Sequence, residues 1–399
     1  MELLSPAGNF EKLKAAVRFG ADAVFMGGPA FGLRANAGNF TFDEMEEAFK
    51  YLHDKGKKGY VTVNIYPQTH ELQDIAKYLK KCESLGADAL IISDPGIFSI
   101  AKQEGIKIPI SISTQANTTN LAAVNFWAEL GAKRVIMARE VRKDDLIEIM
   151  KNAKCEVETF IHGAICISMS GRCLISSYMT GKDANNGECT HPCRWNYSLM
   201  EEKREGEYYP VYEDERGTYL YNSKDLCLLD RIGELVKMGS ASGKIEGRMK
   251  SIMYVSIVTG VYRQAINSAL KDADNYKPLP EWRELLESVS NRGYIEGFYG
   301  GEYDASAINR ETSGYSRAAA FLGVALKDTT NNQLTITCRA KFKPQEEITI
   351  LTPDLKKINI TPEIILDEGD NKIEATRPNY IYKIPCKEQA LEGSLIMRF

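Results

Sequence analysis

Residues 20–27 read GADAVFMG, and the phrase returns as GADALIIS at 86–93 and as GAKRVIMA at 131–138. Each copy follows a segment in which apolar residues recur at three- and four-residue intervals, so its glycine stands where a helix ends. The apolar run that follows is short and continuous, which is typical of a strand in a parallel sheet covered by helices. The repeats therefore predict helices and strands in alternation.

Counting outward from these repeats, and adding a looser copy that begins at Gly239, gives eight strands. They are expected at residues 2–5, 23–27, 60–66, 89–93, 109–114, 134–138, 156–161 and 243–246. Eight strands alternating with helices predict a closed (β/α)8 barrel of the TIM type. An open doubly wound sheet is the alternative, because periodicity alone does not show closure. No G-x-G-x-x-G follows the first strand to favour a dinucleotide-binding fold.

The remaining sequence predicts three regions. Residues 1–275 form the barrel, into which a long cysteine-rich loop is inserted at 158–240. Residues 276–317 form a proline-containing linker and a covering helix. From 318 to 399 the sequence changes to short runs of alternating β-branched residues, which predict a small all-β barrel domain.

Composition limits the kinds of partner. The chain has 399 residues, 44% of them apolar, and a formal net charge of −4. This balance indicates a globular protein with a sizeable core, in which any RNA contact depends on a local basic patch. No apolar run is long enough to span a bilayer, and Met1 leads directly into a strand-like segment. We therefore expect a cytoplasmic protein without a membrane partner.

Four of the nine cysteines stand within 28 residues, with the spacing C-x6-C-x15-C-x3-C: Cys166, Cys173, Cys189 and Cys193. Cys227 follows 34 residues later. An odd cysteine count in a chain of this length argues against a disulfide framework, whereas a soft metal favours converging thiolates. The spacing lacks the paired C-x2-C of most zinc folds and favours an iron–sulfur cluster over zinc. Four buried structural cysteines are the alternative without a metal.

Polar residues stand where the predicted strands end, which is where barrel enzymes place their active sites. They are Asn64, Gln115, Arg139, His162, Lys244, Glu246 and Arg248, with Arg34 as a further cation near the same rim. We expect His162, Glu246 and Asn64 to act on the substrate. His162 fits two roles, a proton donor or a histidine packed under the loop.

The other residues of this set are expected to bind the substrate. Cations suit carboxylates or RNA phosphates, although some of them also fit simple ion pairs with Glu246. Tyr178 flanks the cysteines, as do Trp195 and Tyr197. These aromatic rings fit either the stacking of an extruded base or the exclusion of water from the thiols.

Several of these residues carry a resemblance to a known family. The resemblance rests on Glu158, Phe160, Gly163-Ala164-Ile165-Cys166, Gly171, Cys173 and Ile175-Ser176, and on similar segments at 1–28, 222–227, 244–251 and 291–301. Together they resemble the collagenase-like peptidase U32 family over the first 325 residues or so.

The resemblance implies an oxygen-independent RNA hydroxylase that carries a [4Fe-4S] cluster. It is most similar to the branch that forms 5-hydroxyuridine at the tRNA wobble position with prephenate as the oxygen donor. That branch implies tRNA as a partner, and a paralogous U32 protein is a further expected partner. In this branch Cys166, Cys173, Cys189 and Cys193 would hold the cluster, whereas a quinone branch implies Cys227 in place of Cys193.

Other activities of the family are alternatives. They are hydroxylation of a 23S rRNA cytidine or a quinone precursor, a non-catalytic role beside a paralogue, and peptidase activity with a cysteine nucleophile. A Cys–His peptidase would require His162 to pair with a thiolate of lowered pKa.

Overall fold

The computed structural model describes residues 1–33, 38–166, 168–194, 212–214, 217–219, 223–301, 307, 316 and 318–399. Twelve strands precede the C-terminal region in this part of the chain. They are β1 (Glu2–Pro6), β2 (Ala23–Gly27), β3 (Lys58–Val63), β4 (Ala89–Ile92), β5 (Ile110–Ile112), β6 (Arg134–Ile136), β7 (Glu156–Ala164), β8 (Tyr212–Asp214), β9 (Gly217–Tyr219), β10 (Asp225–Cys227), β11 (Ser242–Ile245) and β12 (Tyr294–Ile295).

Ten helices accompany them in the described residues. They are α1 (Phe10–Arg18), α2 (Phe42–Asp54), α3 (Leu72–Ser84), α4 (Pro95–Gln103), α5 (Leu121–Glu129), α6 (Lys143–Asn152), α7 (Ile175–Thr180), α8 (Ile232–Lys237), α9 (Ile252–Lys271) and α10 (Pro280–Ser288). Although α9 has 20 residues, no helix in the described ranges is both long enough and apolar enough to cross a membrane.

Strands β1 to β7 and β11 form a closed parallel barrel. Strand β1 pairs with β2 on one side and with β11 on the other, and β11 also pairs with β7, which completes the ring. The prediction of a (β/α)8 barrel is confirmed, and the open doubly wound sheet is excluded. The eight barrel strands lie within three residues of the predicted positions at every end.

The repeated phrase forms the step that its sequence predicts. Gly20, Gly86 and Gly131 each follow a helix with φ values of 99°, 95° and 93°, a conformation that side chains with a Cβ rarely adopt. Each glycine lets the chain leave its helix and enter the next barrel strand. The apolar strand residues that follow are buried on both faces, as covering helices require.

Strand β7 contains the irregularity that matters most for the site. Its pairing with β11 shifts by one residue between Phe160 and His162, while Lys244 and Ile245 follow each other on the partner strand. Such a bulge changes the direction in which the next side chains point. Beyond it, β10 pairs antiparallel with β7 and places Cys227 opposite His162.

The C-terminal region is an all-β domain, as predicted. Its strands are β13 (Ala320–Ala325), β14 (Gln333–Cys338), β15 (Ile348–Leu351), β16 (Lys357–Ile360), β17 (Ile381–Pro385) and β18 (Leu395–Arg398). They form one antiparallel sheet in the order β16-β15-β18-β13-β14-β17 around a core of their own. The domain rests on the outside of the barrel, where Leu355 packs beside Gly260 of α9 and Arg339 contacts Glu11 of α1.

Candidate active site at the mouth of the barrel

A cavity of about 170 Å³ lies at the carboxyl ends of the barrel strands, under the cysteine loop. Barrel residues in its wall include Phe25, Thr62, Asn64, Gln115, Arg139, Phe160, Lys244, Glu246 and Arg248. Loop residues in its wall include Cys166, Ser170, Cys173, Cys189, His191 and Cys193. The structure therefore brings the polar strand ends and four of the cysteines to a single cavity.

Cys227 lies elsewhere. It lines a separate cavity of about 190 Å³ together with Tyr294 and Asp230, and its Sγ lies 3.5 Å from the Tyr262 hydroxyl. Burial raises the pKa of the Cys227 thiol. All nine cysteines are free of disulfide bonds. The fifth cysteine is thus separated from the four that share the barrel mouth.

The donor set of the barrel-mouth cavity consists mainly of thiols, which are ligands of both iron–sulfur clusters and zinc. No three His, Cys, Asp or Glu side chains in the described part of the chain converge tightly enough to hold a metal ion. A mononuclear zinc site needs its thiolates about 2.3 Å from one centre, whereas an iron–sulfur cluster distributes its cysteine ligands over several irons. Four cysteine side chains at one cavity supply the number of ligands that a [4Fe-4S] cluster uses.

The turn between Cys166 and Cys173 is held by residues from neighbouring strand ends. The Ser170 backbone N–H donates to Glu140 Oε1 at 2.7 Å, and the Ser170 hydroxyl donates to Asn117 Oδ1 at 2.8 Å. Ser170 has a φ of 51°, so these bonds maintain a backbone conformation that its residue type disfavours. Glu140 therefore fixes the loop over the cavity.

The rest of the loop is anchored by its own polar side chains and by the barrel. Asn185 accepts from the Cys173 N–H and donates to the Cys173 carbonyl, both at 3.1 Å. Arg172 Nε donates to the Tyr66 hydroxyl at 2.8 Å and to the Gln115 carbonyl at 3.0 Å. Sequence reasoning missed these anchors, because contacts between distant loops leave no periodic signal.

Two arginines of the predicted set lie in the cavity wall, each with partners. Arg248 is buried, donates to the Thr62 hydroxyl at 3.0 Å and also bonds to the Leu33 carbonyl. Arg139 stacks 3.7 Å from the ring centre of Phe160, and its Nη2 lies 3.6 Å from Glu246 Oε2. Arg248 is therefore part of the barrel as well as of the cavity.

Lys244 lines the cavity beside the aromatic rings of Phe25 and Phe160. Its Nζ lies 4.4 Å from the ring centre of Phe25 and 3.3 Å from Glu158 Oε1. Burial lowers the pKa of Lys244, and the charge of Glu158 opposes that shift. Below it, Arg134 Nη1 donates to Glu158 at 3.0 Å and to Glu2 at 2.6 Å, so a buried ionic network continues into the barrel.

The two predicted amides lie side by side in the wall. Asn64 Oδ1 accepts from the Leu33 N–H at 3.1 Å, and Asn64 Nδ2 lies 3.4 Å from Gln115 Oε1. Arg34 lies outside the described residues, as do Trp195 and Tyr197. Tyr178 is 91% exposed on α7, so its ring does not shield the thiols from water, which was one of its two predicted roles.

His162 is a correction to the predicted site. Its side chain does not line the barrel-mouth cavity and is only 1% exposed, with Nδ1 3.3 Å from the Tyr262 hydroxyl. The rings of Tyr254 and Tyr294 lie 5.8 and 5.2 Å from it, centre to centre. Burial lowers its pKa to about 3, so the imidazole is neutral at physiological pH. The expectation that it donates a proton in the cavity is wrong, because the bulge in β7 directs it to the outside of the barrel.

The Cys–His pair expected of a peptidase does not involve His162 and the four clustered thiols. Within the cavity, Cys189 Sγ instead lies 3.9 Å from His191 Nδ1. The signal for this contact was the short spacing between the two residues, which sequence reasoning did not use.

Comparison with known proteins agrees over nearly the whole chain. The family model "Peptidase family U32" matches residues 8–309, and "Peptidase family U32 C-terminal domain" matches residues 317–398. The chain is 38% identical to tRNA hydroxylation protein P1 of Bacillus subtilis, with 100% of this chain and 94% of the relative covered. It is 36% identical to tRNA hydroxylation protein P of Escherichia coli, with 100% and 96% covered. It is also 41% identical to an uncharacterized protease of Methanocaldococcus jannaschii, over 75% of this chain and 73% of that protein.

Proposed function

The chain belongs to peptidase family U32, and from this we propose that it hydroxylates tRNA without molecular oxygen, forming 5-hydroxyuridine at the wobble position. The proposal further includes a [4Fe-4S] cluster and prephenate as the oxygen donor. The observation that carries it is the convergence of four cysteines and two arginines on one barrel-mouth cavity, in a chain matched from end to end by proteins named for tRNA hydroxylation.

Cys166, Cys173, Cys189 and Cys193 would hold the cluster. Hydrogen bonds hold the loop that carries them, since Glu140 bonds to the turn at Ser170 and Asn185 bonds to both the N–H and the carbonyl of Cys173. Preorganised ligands bind a metal at a lower entropic cost. When bound, such a cluster supplies a centre for electron transfer or Lewis-acid chemistry.

The donor would bind between the cluster and the barrel. Prephenate carries two carboxylates, which are costly to bury unless cations compensate them. Arg139 and Arg248 lie in the same wall, and the ion pair between Arg139 and Glu246 is long at 3.6 Å, so a substrate carboxylate can compete for this guanidinium. Asn64 and Gln115 offer amides that orient the neutral oxygens of the donor.

The RNA would approach over the cysteine loop. This loop exposes an unusual set of apolar side chains, with Tyr178 at 91% and Leu174 at 66%, next to the exposed cations Arg172 and Lys182. Unpaired bases stack on such surfaces, and the cations suit the phosphates beside them. The net charge of −4 does not attract RNA to the protein as a whole, so Arg172 and Lys182 would provide the local positive charge for the phosphates.

A cysteine peptidase is the second candidate function. It is favoured by the 3.9 Å contact between Cys189 Sγ and His191 Nδ1 and by the relative that is named a protease. In the hydroxylase, metal ligation would occupy the same thiol. The two proposals therefore make opposite demands on Cys189.

The test is mass spectrometry of tRNA from a strain that lacks this gene and any paralogous U32 gene. Loss of 5-hydroxyuridine, restored by the wild-type gene but not by Cys193→Ser, would support the proposal. Normal tRNA together with loss of a modified cytidine in 23S rRNA, or of quinone, would move the function to another hydroxylase class. Normal tRNA with gelatin digestion that Cys189→Ala abolishes would establish the peptidase instead.

A further inference from the structure

Lys244 has a setting that a substrate-binding cation does not need. We propose that its amine forms an imine with the ketone carbonyl of a 2-oxo acid bound in the barrel-mouth cavity. The inference rests on the proposed function, because the proposed donor contains a 2-oxo carboxylate, and it assigns to Lys244 a covalent role in binding that donor.

The first support is the position of the amine. Lys244 is the third residue of β11, lines the barrel-mouth cavity, and has a side chain that is 5% exposed. The ring centres of Phe25 and Phe160 lie 4.4 and 5.7 Å from its Nζ. A lysine removed from water in this way holds its proton less firmly, and the neutral amine is the form that attacks carbonyl carbons.

The second support is the ionic network behind it. If Lys244 served only to neutralise Glu158, that carboxylate would depend on it. Glu158 Oε2, however, already accepts from Arg134 Nη1 at 3.0 Å. Arg134 also pairs with Glu2 and Glu156. A proton that passes from Lys244 to Glu158 removes both charges together, so it leaves no buried carboxylate uncompensated, which would otherwise cost several kcal/mol.

The third support is the chemistry of the surrounding wall. Glu158 lies 3.3 Å from Nζ, within reach of a proton of the ammonium group. Arg139 and Arg248 line the same cavity and suit the carboxylate next to the ketone. The wall thus supplies the amine and the carboxylate partners, and Glu158, buried behind Lys244, supplies the base.

The covalent step balances without an oxidant or reductant. Glu158 takes one proton from the ammonium group, and the nitrogen lone pair attacks the ketone carbon to form a C–N bond. The two hydrogens that remain on the nitrogen pass to the carbonyl oxygen, which leaves as water as the C=N bond forms, so that the one proton released overall is the one on Glu158. The product is an imine between Lys244 and the 2-oxo acid.

The experiment is reductive trapping on the purified full-length protein. Pyruvate, the simplest 2-oxo acid, is added with sodium cyanoborohydride, which delivers hydride to an imine and makes the adduct permanent. Peptide mapping should then find a carboxyethyl group on Lys244 at least about tenfold more often than on any other lysine. Lactate, which has no ketone, should give no adduct.

Two lysine variants make the result specific. Lys244→Arg keeps the charge and should lose the adduct. Lys250→Arg is the matched control, since Lys250 is also mostly buried and lies 5.1 Å from the ring centre of Tyr254, but it does not line the cavity. This variant should keep the adduct on Lys244.

The inference and the proposed function can fail separately. Label spread evenly over surface lysines, or none on Lys244 in protein that keeps its iron and its circular dichroism spectrum, would overturn the inference and leave the tRNA hydroxylase untouched. An adduct confined to Lys244, with normal tRNA in the deletion strain, would support the inference while the proposed RNA substrate fails.

Discussion

Strand β7 delivers reactive side chains to two regions with opposite character. At its end Cys166 joins the barrel-mouth cavity, whereas His162, four residues earlier, enters a cluster of tyrosines behind the barrel with Cys227 opposite. The mouth is polar, with backbone amides and side chains that hold the loop in place. In the rear, His162, Tyr254 and Tyr262 are buried, while Cys227 and Tyr294 are partly exposed at their own cavity. Reactive side chains that are only four residues apart in sequence therefore lie in two different environments.

This difference teaches that setting, more than residue type, decides which groups can react. In the rear cluster burial raises the pKa of Cys227 and lowers that of His162, so both groups favour their neutral forms. A proton donor at neutral pH needs an imidazolium, so His162 does not suit that role. Cys227 lines a cavity separate from that of the other four thiols, which argues against a metal shared with them. The groups that could contact a substrate line the barrel-mouth cavity.

The largest expected effect separates the two sets of thiols. In anaerobically purified protein, Cys193→Ser should lose nearly all of the proposed iron, because one of four ligands is gone. Cys227→Ser should keep most of it, since Cys227 lines a different cavity. Iron and acid-labile sulfide per chain are the measurement. If Cys227→Ser lost the iron and Cys193→Ser kept it, the cluster would lie at the cavity of Cys227, and the proposed difference between the two regions would be wrong.

The second prediction concerns acid stability and the rear cluster. The pKa of His162 is about 3 in the folded protein, against an ordinary value of 6.5, so the unfolded chain binds this proton first as the pH falls. Stability that is present above pH 6.5 should therefore decline by roughly 1.4 kcal/mol per pH unit towards pH 3. His162→Phe removes the proton-binding site and should flatten this slope in urea titrations at successive pH values.

The Tyr262 hydroxyl keeps a partner in this variant, because it also donates to the Ile161 carbonyl at 2.9 Å. His70→Phe, at an exposed position, controls for the general effect of replacing a histidine. An unchanged slope in His162→Phe would mean that the imidazole is protonated in the folded state.

The third prediction tests how far the mouth is also a structural element. Arg248→Ala leaves the Thr62 hydroxyl and the Leu33 carbonyl without their buried donor, and a hydrogen bond to a charged group contributes about 1.5–3 kcal/mol. The free energy of unfolding in urea should fall by about that amount. Arg139→Ala should cost less stability, because the Arg139 side chain is 11% exposed and packs on the ring of Phe160, whereas Arg248 is 3% exposed and bonds to two groups of the barrel. Equal losses of unfolding free energy in the two variants would show that Arg139 and Arg248 stabilise the fold to the same extent.

The sequence predicted the parts of this comparison that repeat or cluster. The phrase at Gly20, Gly86 and Gly131 indicated the barrel strand that follows each glycine, and apolar runs between the copies indicated β3 and β5, since helix ends and buried strands have strong local signals. The spacing of Cys166, Cys173, Cys189 and Cys193 predicted that one loop brings four cysteines to one site, and the structure places these thiols at one cavity. Local pattern was sufficient for both.

What the sequence could not predict depends on single residues or on distant contacts. The one-residue bulge in β7 reversed the direction of His162, and no periodic pattern marks it. The bond from Ser170 to Glu140 joins two loops that are 30 residues apart. The exposure of Tyr178 also depends on how the whole loop folds, so the choice between its two predicted roles required the structure.

The smallest expected effect lies on the outer surface of the mouth. Because Tyr178 is 91% exposed, Tyr178→Ala should leave the free energy of unfolding and the iron content unchanged. If the ring stacks on a base of the tRNA loop, the variant should lose about 1–3 kcal/mol of RNA binding, or roughly five- to 150-fold in Kd. Tyr178→Phe keeps the stacking surface and should bind nearly as the wild type does, while Tyr380→Ala, at an exposed tyrosine of the C-terminal domain, is the matched control.

Fluorescence anisotropy with an anticodon stem–loop at fixed salt gives each Kd. Equal losses in Tyr178→Ala and Tyr380→Ala would show that the contact is not particular to the mouth, and no loss in either would remove RNA stacking from the roles of this surface.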